Sequence, residues 1–365
     1  MSSQPRRRDI WRGGARRAVA SLGTVVPASE PRWPIALQAA ITMTVPLLAG
    51  VAMGRTDLGL LACMGAFTVP YFSALPRLER LRLRPLAGLV LVACAALGAW
   101  LGPHPSIAAV GLVLVTVGTG ALVHGYRLGP PGPLFPILVY GVAGHAADAG
   151  GSFSTIVAAV GAGCALAVMV SIAPLVRRAH WQVTPRPLRV LLARPQWDRG
   201  AKELLARTAI VAVVGTALSL LLVDPERAYW TVAAGVVVIG VVPGRGPAAA
   251  RGLHRAVGTV AGVGVYIGFS ALDPSPIVIA FTLGALQFVT EVAVARHYAL
   301  ATAALTPLAL IIVSSAEGRL GSLELAGERV IDTLVGAGLA VATALLHRPA
   351  APDPVGRFAP PHRPR

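Results

Sequence analysis

The arginines of this chain cluster in every second connection between apolar runs. Twelve runs, each about 15–22 residues long and mostly apolar, alternate with short polar connections along the 365 residues. Alternate connections and the two terminal segments hold 28 of the 32 Lys and Arg residues. These stretches are 1–33, 76–85, 124–133, 177–207, 244–255, 294–297 and 347–365. Because Lys and Arg are retained on the cytoplasmic side of a membrane, the pattern predicts an all-α polytopic protein with twelve transmembrane helices and both termini cytoplasmic.

Composition supports a membrane protein and excludes several other classes. The chain is 55% hydrophobic and 13% charged, with a mean hydropathy of +0.68, which is too apolar for the surface of a soluble domain. Twelve spans with tight connections use nearly the whole length, so no soluble catalytic domain is expected. The net charge of +16 follows from the topology and requires no nucleic-acid partner. The lipid bilayer is the expected surrounding of the chain.

The two halves of the chain resemble each other at a shift of about 170–175 residues. The matched features are VGAG at 160–163 and 335–338, Arg84 and Arg255, and Pro136 and Pro307. Six spans per half bring both halves in from the same side, which predicts two parallel repeats related by an axis along the membrane normal. Matched prolines in corresponding spans are typical of a binding site between repeats, so Pro136 and Pro307 are predicted helix breaks. Tolerated kinks are the alternative.

These features predict five segments. They are a basic cytoplasmic N-terminal segment 1–33, a first six-helix repeat 34–176, a basic cytoplasmic linker 177–205, a second six-helix repeat 206–347 and a Pro/Arg-rich cytoplasmic tail 348–365. No small-residue cleavage site follows the first apolar run, so the N-terminal segment is expected not to be a cleaved signal peptide.

No enzyme signature occurs in the sequence. A phosphate loop, a metalloprotease motif, a nucleophile elbow and a cluster of metal ligands are all absent. We therefore expect neither an enzyme, nor a cofactor, nor a metal.

Ionisable residues at membrane depth are the remaining candidates for function, because burying them there is costly. Asp332 lies about five residues into the last span, with Glu328 and Arg329 one turn earlier on the same helix face. Asp332 could exchange a proton, and Arg329 could bind a carboxylate in bidentate fashion. An Arg329–Asp332 ion pair that anchors the helix at the outer interface is the structural alternative.

Further candidates lie in the eighth, tenth and eleventh spans. Glu291 is a second proton-coupling candidate, for which a local ion pair with Arg296 or His297 is the alternative. Tyr298 and Thr306, on the eleventh span, are substrate-binding candidates. Trp230 could stack on an aromatic substrate or belong to an aromatic belt at the membrane interface.

Several short motifs together resemble the fusaric-acid-resistance-protein-like (FUSC) family. In the second half they are Arg207, YW at 229–230, RAVGTVAG at 255–262, HYA at 297–299, LTP at 305–307 and ERVIDTLVGAG at 328–338. The first half matches more loosely, through MGAF at 64–67, RLERLRLRP at 77–85 and LGAWLG at 97–102. The chain departs from larger members in having only a basic linker where they carry a cytoplasmic domain.

The resemblance implies a function in organic anion transport. The family includes bacterial exporters of aromatic carboxylic acids and has the plant aluminium-activated malate channels as distant relatives. By position, Arg329 and Asp332 match the family's charged pair in the last span. We therefore expect a transporter in the bacterial cytoplasmic membrane that exports a small, aromatic-type organic anion with the proton gradient. A passive anion channel and a non-transporting membrane scaffold are the alternatives, and a homo-oligomer is left open.

Overall fold

The computed structural model describes residue 16 and residues 18–27, 31–172, 185–223 and 225–347. Within these residues the secondary structure is entirely helical. Most of the predicted N-terminal segment, the first part of the linker (residues 177–184) and the whole predicted tail lie outside the described residues.

Each predicted apolar run coincides with a helix. The helices are α1 (Trp33–Ala52), α2 (Thr56–Ala62, continued by a 3-10 helix Cys63–Thr68), α3 (Arg77–Leu101), α4 (Pro105–Gly125), α5 (Leu134–Asp148), α6 (Phe153–Ile172), α7 (Arg199–Leu218, continued by a π-helix Ser219–Val223), α8 (Ala228–Ile239), α9 (Arg245–Ser270), α10 (Pro276–Ala293), α11 (Tyr298–Ala316) and α12 (Leu323–Thr343, followed by a 3-10 turn Ala344–Leu346). A further turn of helix, Leu188–Leu191, precedes α7.

Eight of the described helices are long and apolar enough to cross a membrane, and the chain is a multi-pass membrane protein. The eight are α1, α3, α4, α6, α7, α10, α11 and α12. The helices α2, α5 and α8 are apolar but shorter, and α9 carries three arginines in its N-terminal half. Twelve spans therefore remain a prediction.

The same helix pairs recur in the two halves. In the first half α3 packs on α5 and α6, and α2 packs on α6; in the second, α9 packs on α11 and α12, and α8 packs on α12. The first helix of each half also crosses to the fourth helix of the other, so that α1 packs on α10 and α7 packs on α4. This pairing is the pattern expected of two parallel repeats, an arrangement that superposition of the halves would test directly.

Three helices form the centre of the molecule. All but one of the 12 residues of α8 and 11 of the 15 residues of α5 are buried, and α11 is the most deeply packed of the eight long helices. An apolar helix that is buried all round lies inside a protein core. Because α5 contacts α8, the two halves meet here, and the buried polar side chains of α8, α9, α11 and α12 converge nearby.

Candidate functional site

A buried arginine on α12 faces a buried tryptophan on α8. Arg329 and Trp230 are each 1% exposed, and the Arg329 Cζ atom lies 4.9 Å from the centre of the Trp230 ring. The two helices approach closely, because a Cβ on Gly336 would lie 2.1 Å from the carbonyl oxygen of Thr231. The cation–π contact orients the guanidinium, while its Nε and Nη1 atoms have no hydrogen-bond partner among the described residues. Arg329 thus keeps buried hydrogen-bond donors that are available to a ligand.

Asp332 lies three residues beyond Arg329 on α12 and is fully buried. The hydroxyl of Thr231 donates a hydrogen bond to its Oδ1 atom. The opposite charges of Arg329 and Asp332 are close enough to attract each other. Because Thr231 follows Trp230 in the chain, α8 supplies a neighbour to each member of the predicted charged pair.

A network of ion pairs, which we call the outer cluster, lies at the end of the molecule where the sequence places few basic residues. Its members are His145, Arg227, Glu317, Arg319 and Glu328. Buried Arg227 lies 2.8 Å from Glu317 and 3.2 Å from Glu328, and Glu317 also lies 3.0 Å from His145 and 3.1 Å from Arg319. Glu328 therefore takes part in this cluster rather than in the contact with Trp230.

The carboxyl group of Glu317, just after α11, is held in its charged form. Burial raises its pKa, but the hydrogen bond and positive charge of Arg227, together with His145 and Arg319, outweigh burial. The net result is a lowered pKa, so Glu317 stays ionised and is not a proton carrier at neutral pH.

A cavity of about 290 Å³, which we call the inner cavity, opens between the halves near the opposite end. Its polar lining is Arg32, Arg251, Arg255, Thr290, Glu291, Tyr298 and Thr302. Its apolar lining comes mainly from residues 130–135, at the start of α5, and from α8 and α11. A mostly apolar pocket with a few convergent polar groups is typical of a small-molecule site.

Glu291 pairs with a residue from the far end of the chain. The Arg32 Nη2 atom lies 3.3 Å from Glu291 Oε2, and Arg32 Nε donates to the Glu291 carbonyl oxygen at 3.0 Å. Gln287 donates to the other carboxylate oxygen at 3.3 Å. The alternative of a local pair with Arg296 or His297 is therefore wrong, because the packing of α1 against α10 brings Arg32 to Glu291 instead.

Two hydroxyl groups on α11 remain available for a ligand. The hydroxyl oxygens of Tyr298 and Thr306 are buried and have no hydrogen-bond partner within the described part of the chain. Tyr298 lines the inner cavity and is close enough to Arg329 for an electrostatic interaction. Tyr298 therefore belongs to the cavity lining and lies within electrostatic range of Arg329.

The two predicted helix breaks differ in the structure. Pro307 lies inside α11, which continues through it, and the carbonyl of Ala303 that it leaves without a donor faces Gly262 of α9. Pro136 is the third residue of α5, where the missing N–H costs nothing because first-turn N–H groups have no helical partner. The predicted break at Pro136 is therefore a helix start.

A second cavity, of about 220 Å³, lies between α4, α5 and the start of α8. Tyr140, His145 and Tyr229 are among its lining residues. Tyr229 immediately precedes Trp230 and interacts electrostatically with Arg329. Tyr229 therefore lines this cavity and also contacts Trp230, with the two ring centres 6.0 Å apart.

The candidate site lies in the part of the chain that matches a known protein family. Residues 208–343 match the family model described as fusaric acid resistance protein-like. The resemblance inferred from the motifs is confirmed for this region, which contains every residue of the Arg329 site and most of the inner cavity. An uncharacterized membrane protein of Bacillus subtilis is 37% identical over 86 residues, covering 24% of this chain and 14% of the relative's own length. No solved structure matches the chain.

Sequence reasoning found only part of the site in this fusaric acid resistance protein-like region. It selected Arg329, Asp332 and Trp230, which the structure brings together, but it did not select Arg227 or Arg255. Arg255 was noticed only as the residue that matches Arg84 in the first half and as the first residue of the motif RAVGTVAG. Its signal was an arginine where the apolar part of α9 begins, a costly position that could have marked it as a candidate.

Proposed function

We propose that this protein exports a small organic carboxylate, of aromatic type, across the bacterial cytoplasmic membrane with energy from the proton gradient. The observation that carries this proposal is the free donor edge of Arg329 against the face of Trp230. Guanidinium donors match the two oxygens of a carboxylate, and the indole offers a flat apolar surface to the substrate body. The match to a family whose members are in general transporters supports the same conclusion.

Proton coupling is assigned to Asp332. A proton that enters from the outer side neutralises Asp332 and weakens its attraction for Arg329, which changes the affinity of Arg329 for a substrate anion. A ligand shifts a conformational equilibrium only through a difference in affinity between two states, and protonation of Asp332 supplies that difference. Glu291, at the inner cavity, is the second proton-coupling residue in this scheme.

The substrate path runs between the two halves. In our proposal a carboxylate enters at the inner cavity, passes Tyr298 and Thr306 and reaches Arg329 and Trp230. It leaves through the second cavity beside the outer cluster. The cytoplasmic placement of both termini belongs to this proposal, because export requires the inner cavity to face the cytoplasm.

The decisive experiment measures export from cells. A deletion strain is screened for growth on a panel of aromatic and aliphatic acids, and the acid that inhibits it most is then used in an export assay. Asp332→Asn should abolish export at unchanged protein level, because Asn has nearly the same shape but cannot carry the proton. Glu324→Gln is the matched control, since it neutralises an exposed carboxylate on the same helix.

Two other results would contradict the proposal. Export that only follows the gradient of the acid, and that persists with an uncoupler and in Asp332→Asn, would refute proton coupling and favour the passive channel. A deletion strain that exports every acid normally would refute transport and favour the scaffold.

A further inference from the structure

Arg255 of α9 is buried without any visible compensation. It is 1% exposed, and none of its three guanidinium nitrogens has a hydrogen-bond partner in the described part of the protein. A buried charge is normally paired or hydrogen-bonded, because removing it from water is costly. Arg255 lines the inner cavity, so its unused donors border an open space of molecular size.

The first half shows how this fold accommodates a structural arginine at the matching position. Arg84 on α3 is 2% exposed, yet its Nη1 atom donates to Gln38 at 2.9 Å and to Ser171, and its Nη2 atom donates to the Val69 carbonyl at 2.9 Å. Among the described residues of the second half, no group makes corresponding hydrogen bonds with Arg255. The comparison separates a residue that holds helices together from one that keeps its donors free.

Neighbouring arginines do not need Arg255 for their own contacts. Arg251 donates to the carbonyl oxygens of Val238 and Ile239 at the end of α8, at 2.8 and 2.5 Å. Arg32 is paired with Glu291. Each of these charges is satisfied, so Arg255 is the member of the lining whose guanidinium is free, within the described residues.

The rest of the cavity defines what Arg255 can bind. The Tyr298 hydroxyl is a second buried donor without a partner among the described residues, and Arg329 is close enough to repel Arg255. Phe135 and Leu305 contribute to a largely apolar wall. Two donors and an excess of positive charge favour an anionic headgroup, and the apolar wall favours a hydrophobic body.

We propose that Arg255 and Tyr298 form a second anion site, which binds the carboxylate of an amphiphilic organic acid in the inner cavity before the acid reaches Arg329. This inference rests on the proposed function for its substrate class. Occupancy by the carboxylate supplies the hydrogen bonds that Arg255 lacks and relieves its repulsion from Arg329.

The test uses the full-length protein in nanodiscs of neutral phosphatidylcholine, with benzoate as the probe and calorimetry as the measurement. Arg255→Gln should weaken benzoate binding about 10- to 100-fold, as expected for loss of a charged hydrogen bond. Tyr298→Phe should weaken it less, because it removes a neutral donor. Benzyl alcohol, which has the same ring without the charge, should not bind measurably at the same concentration.

Thermal unfolding of the ligand-free protein distinguishes an arginine that binds a ligand from one that holds helices together. Loss of the first should raise the unfolding midpoint, and loss of the second should lower it. Arg255→Gln should raise the unfolding midpoint, because it removes an unpaired buried charge. Arg84→Gln, the matched control, should lower the midpoint, because it breaks three hydrogen bonds, while its folded fraction binds benzoate as the wild type does.

Several results would overturn the second anion site. One is a wild-type protein that does not bind benzoate. Another is an Arg255→Gln variant that binds benzoate with the same affinity as the wild type. The third is an unfolding midpoint that falls in Arg255→Gln as it does in Arg84→Gln. Benzoate binding that depends on Arg255 in a protein without any export activity would instead refute the proposed function and leave the site standing.

Discussion

At the scale of single residues, the buried arginines of this protein fall into two groups. Arg84 and Arg227 donate to groups on other helices, and their role is to fix helices against each other. Arg255 and Arg329 retain donors that the described residues do not use. A cost in stability that is left uncompensated in the folded chain is expected where a ligand supplies the compensation.

Removal of Arg227 should reveal the contribution of the outer cluster to stability. Arg227→Gln leaves Glu317 and Glu328 without their buried partner and should destabilise the protein by about 3–5 kcal/mol, as broken buried pairs do. Arg319→Gln is the control, because this arginine is 46% exposed and should contribute less than about 1 kcal/mol. The free energy of unfolding in mixed micelles measures both. Equal losses would show that burial of Arg227 is unimportant.

The lowered pKa of Glu317 predicts that the protein becomes less stable at acidic pH. A carboxyl group whose pKa is lower in the folded than in the unfolded state stabilises fully above the unfolded value, about 4.3 for Glu. That stabilisation is lost as the pH falls through the lower, folded value. The midpoint temperature of unfolding should therefore decrease as the pH is lowered below about 4. Glu317→Gln should make this decrease smaller. Glu324→Gln, at an exposed carboxylate, should leave it unchanged.

The residues that sequence alone could assign were those with local signals. Asp332 and Arg329 stand out because charge is rare in an apolar span, and one turn of helix relates them. The partner of Glu291 could not be predicted, because Arg32 is 259 residues away and only the packing of α1 on α10 joins them. Arg255 was missed because an arginine near a helix start also fits the cytoplasmic charge pattern.

At the scale of elements, four glycines in the C-terminal half of α9 form two pairs with GxxxG spacing, Gly258 with Gly262 and Gly264 with Gly268, and the two pairs have different surroundings. A Cβ on Gly258 would lie 2.4 Å from the Ala299 carbonyl oxygen, and one on Gly262 would lie 2.7 Å from Thr306 Cβ. A Cβ on Gly264 or Gly268 would meet nothing within 4 Å. The GxxxG spacing thus marks a close approach to α11 on one face only.

This difference predicts opposite effects of the same substitution. Gly262→Ala should destabilise the protein by about 1–3 kcal/mol through overpacking against α11. Gly264→Ala should be neutral or stabilising by up to about 1 kcal/mol, because alanine favours the helix and has room. Thermal unfolding of the two variants checks the prediction, which fails if Gly264→Ala is as damaging as Gly262→Ala.

Helix positions were predictable from the apolar runs, but their relation to the membrane was not. Hydropathy does not distinguish a segment surrounded by lipid from one surrounded by protein, and the short helices α5 and α8 are mostly buried against other helices. Pro136 and Pro307 look alike in sequence. Their difference depends on where each helix begins, which is the least certain part of a sequence-based assignment.

At the scale of the whole molecule, the distribution of arginines predicts which ends of the helices face the cytoplasm. Reporter fusions at Ala146 and Ser270 should read as external, and a fusion at Ala193 should read as internal. A fusion at Ala193 that reads as external would contradict six spans per half. The same experiment places the inner cavity, because Arg255 lies at the arginine-rich end of α9.

The crossing of α1 to α10 and of α7 to α4 has a consequence for biogenesis. During synthesis α1 enters the bilayer long before its neighbour exists, since α10 belongs to the second half. Until then α1 must wait with its packing face turned to lipid or to an insertion chaperone, and the same delay separates Arg32 from Glu291. Contacts this distant in sequence slow folding and leave intermediates exposed. We therefore expect the first half to reach its final packing only after α10 has been synthesised.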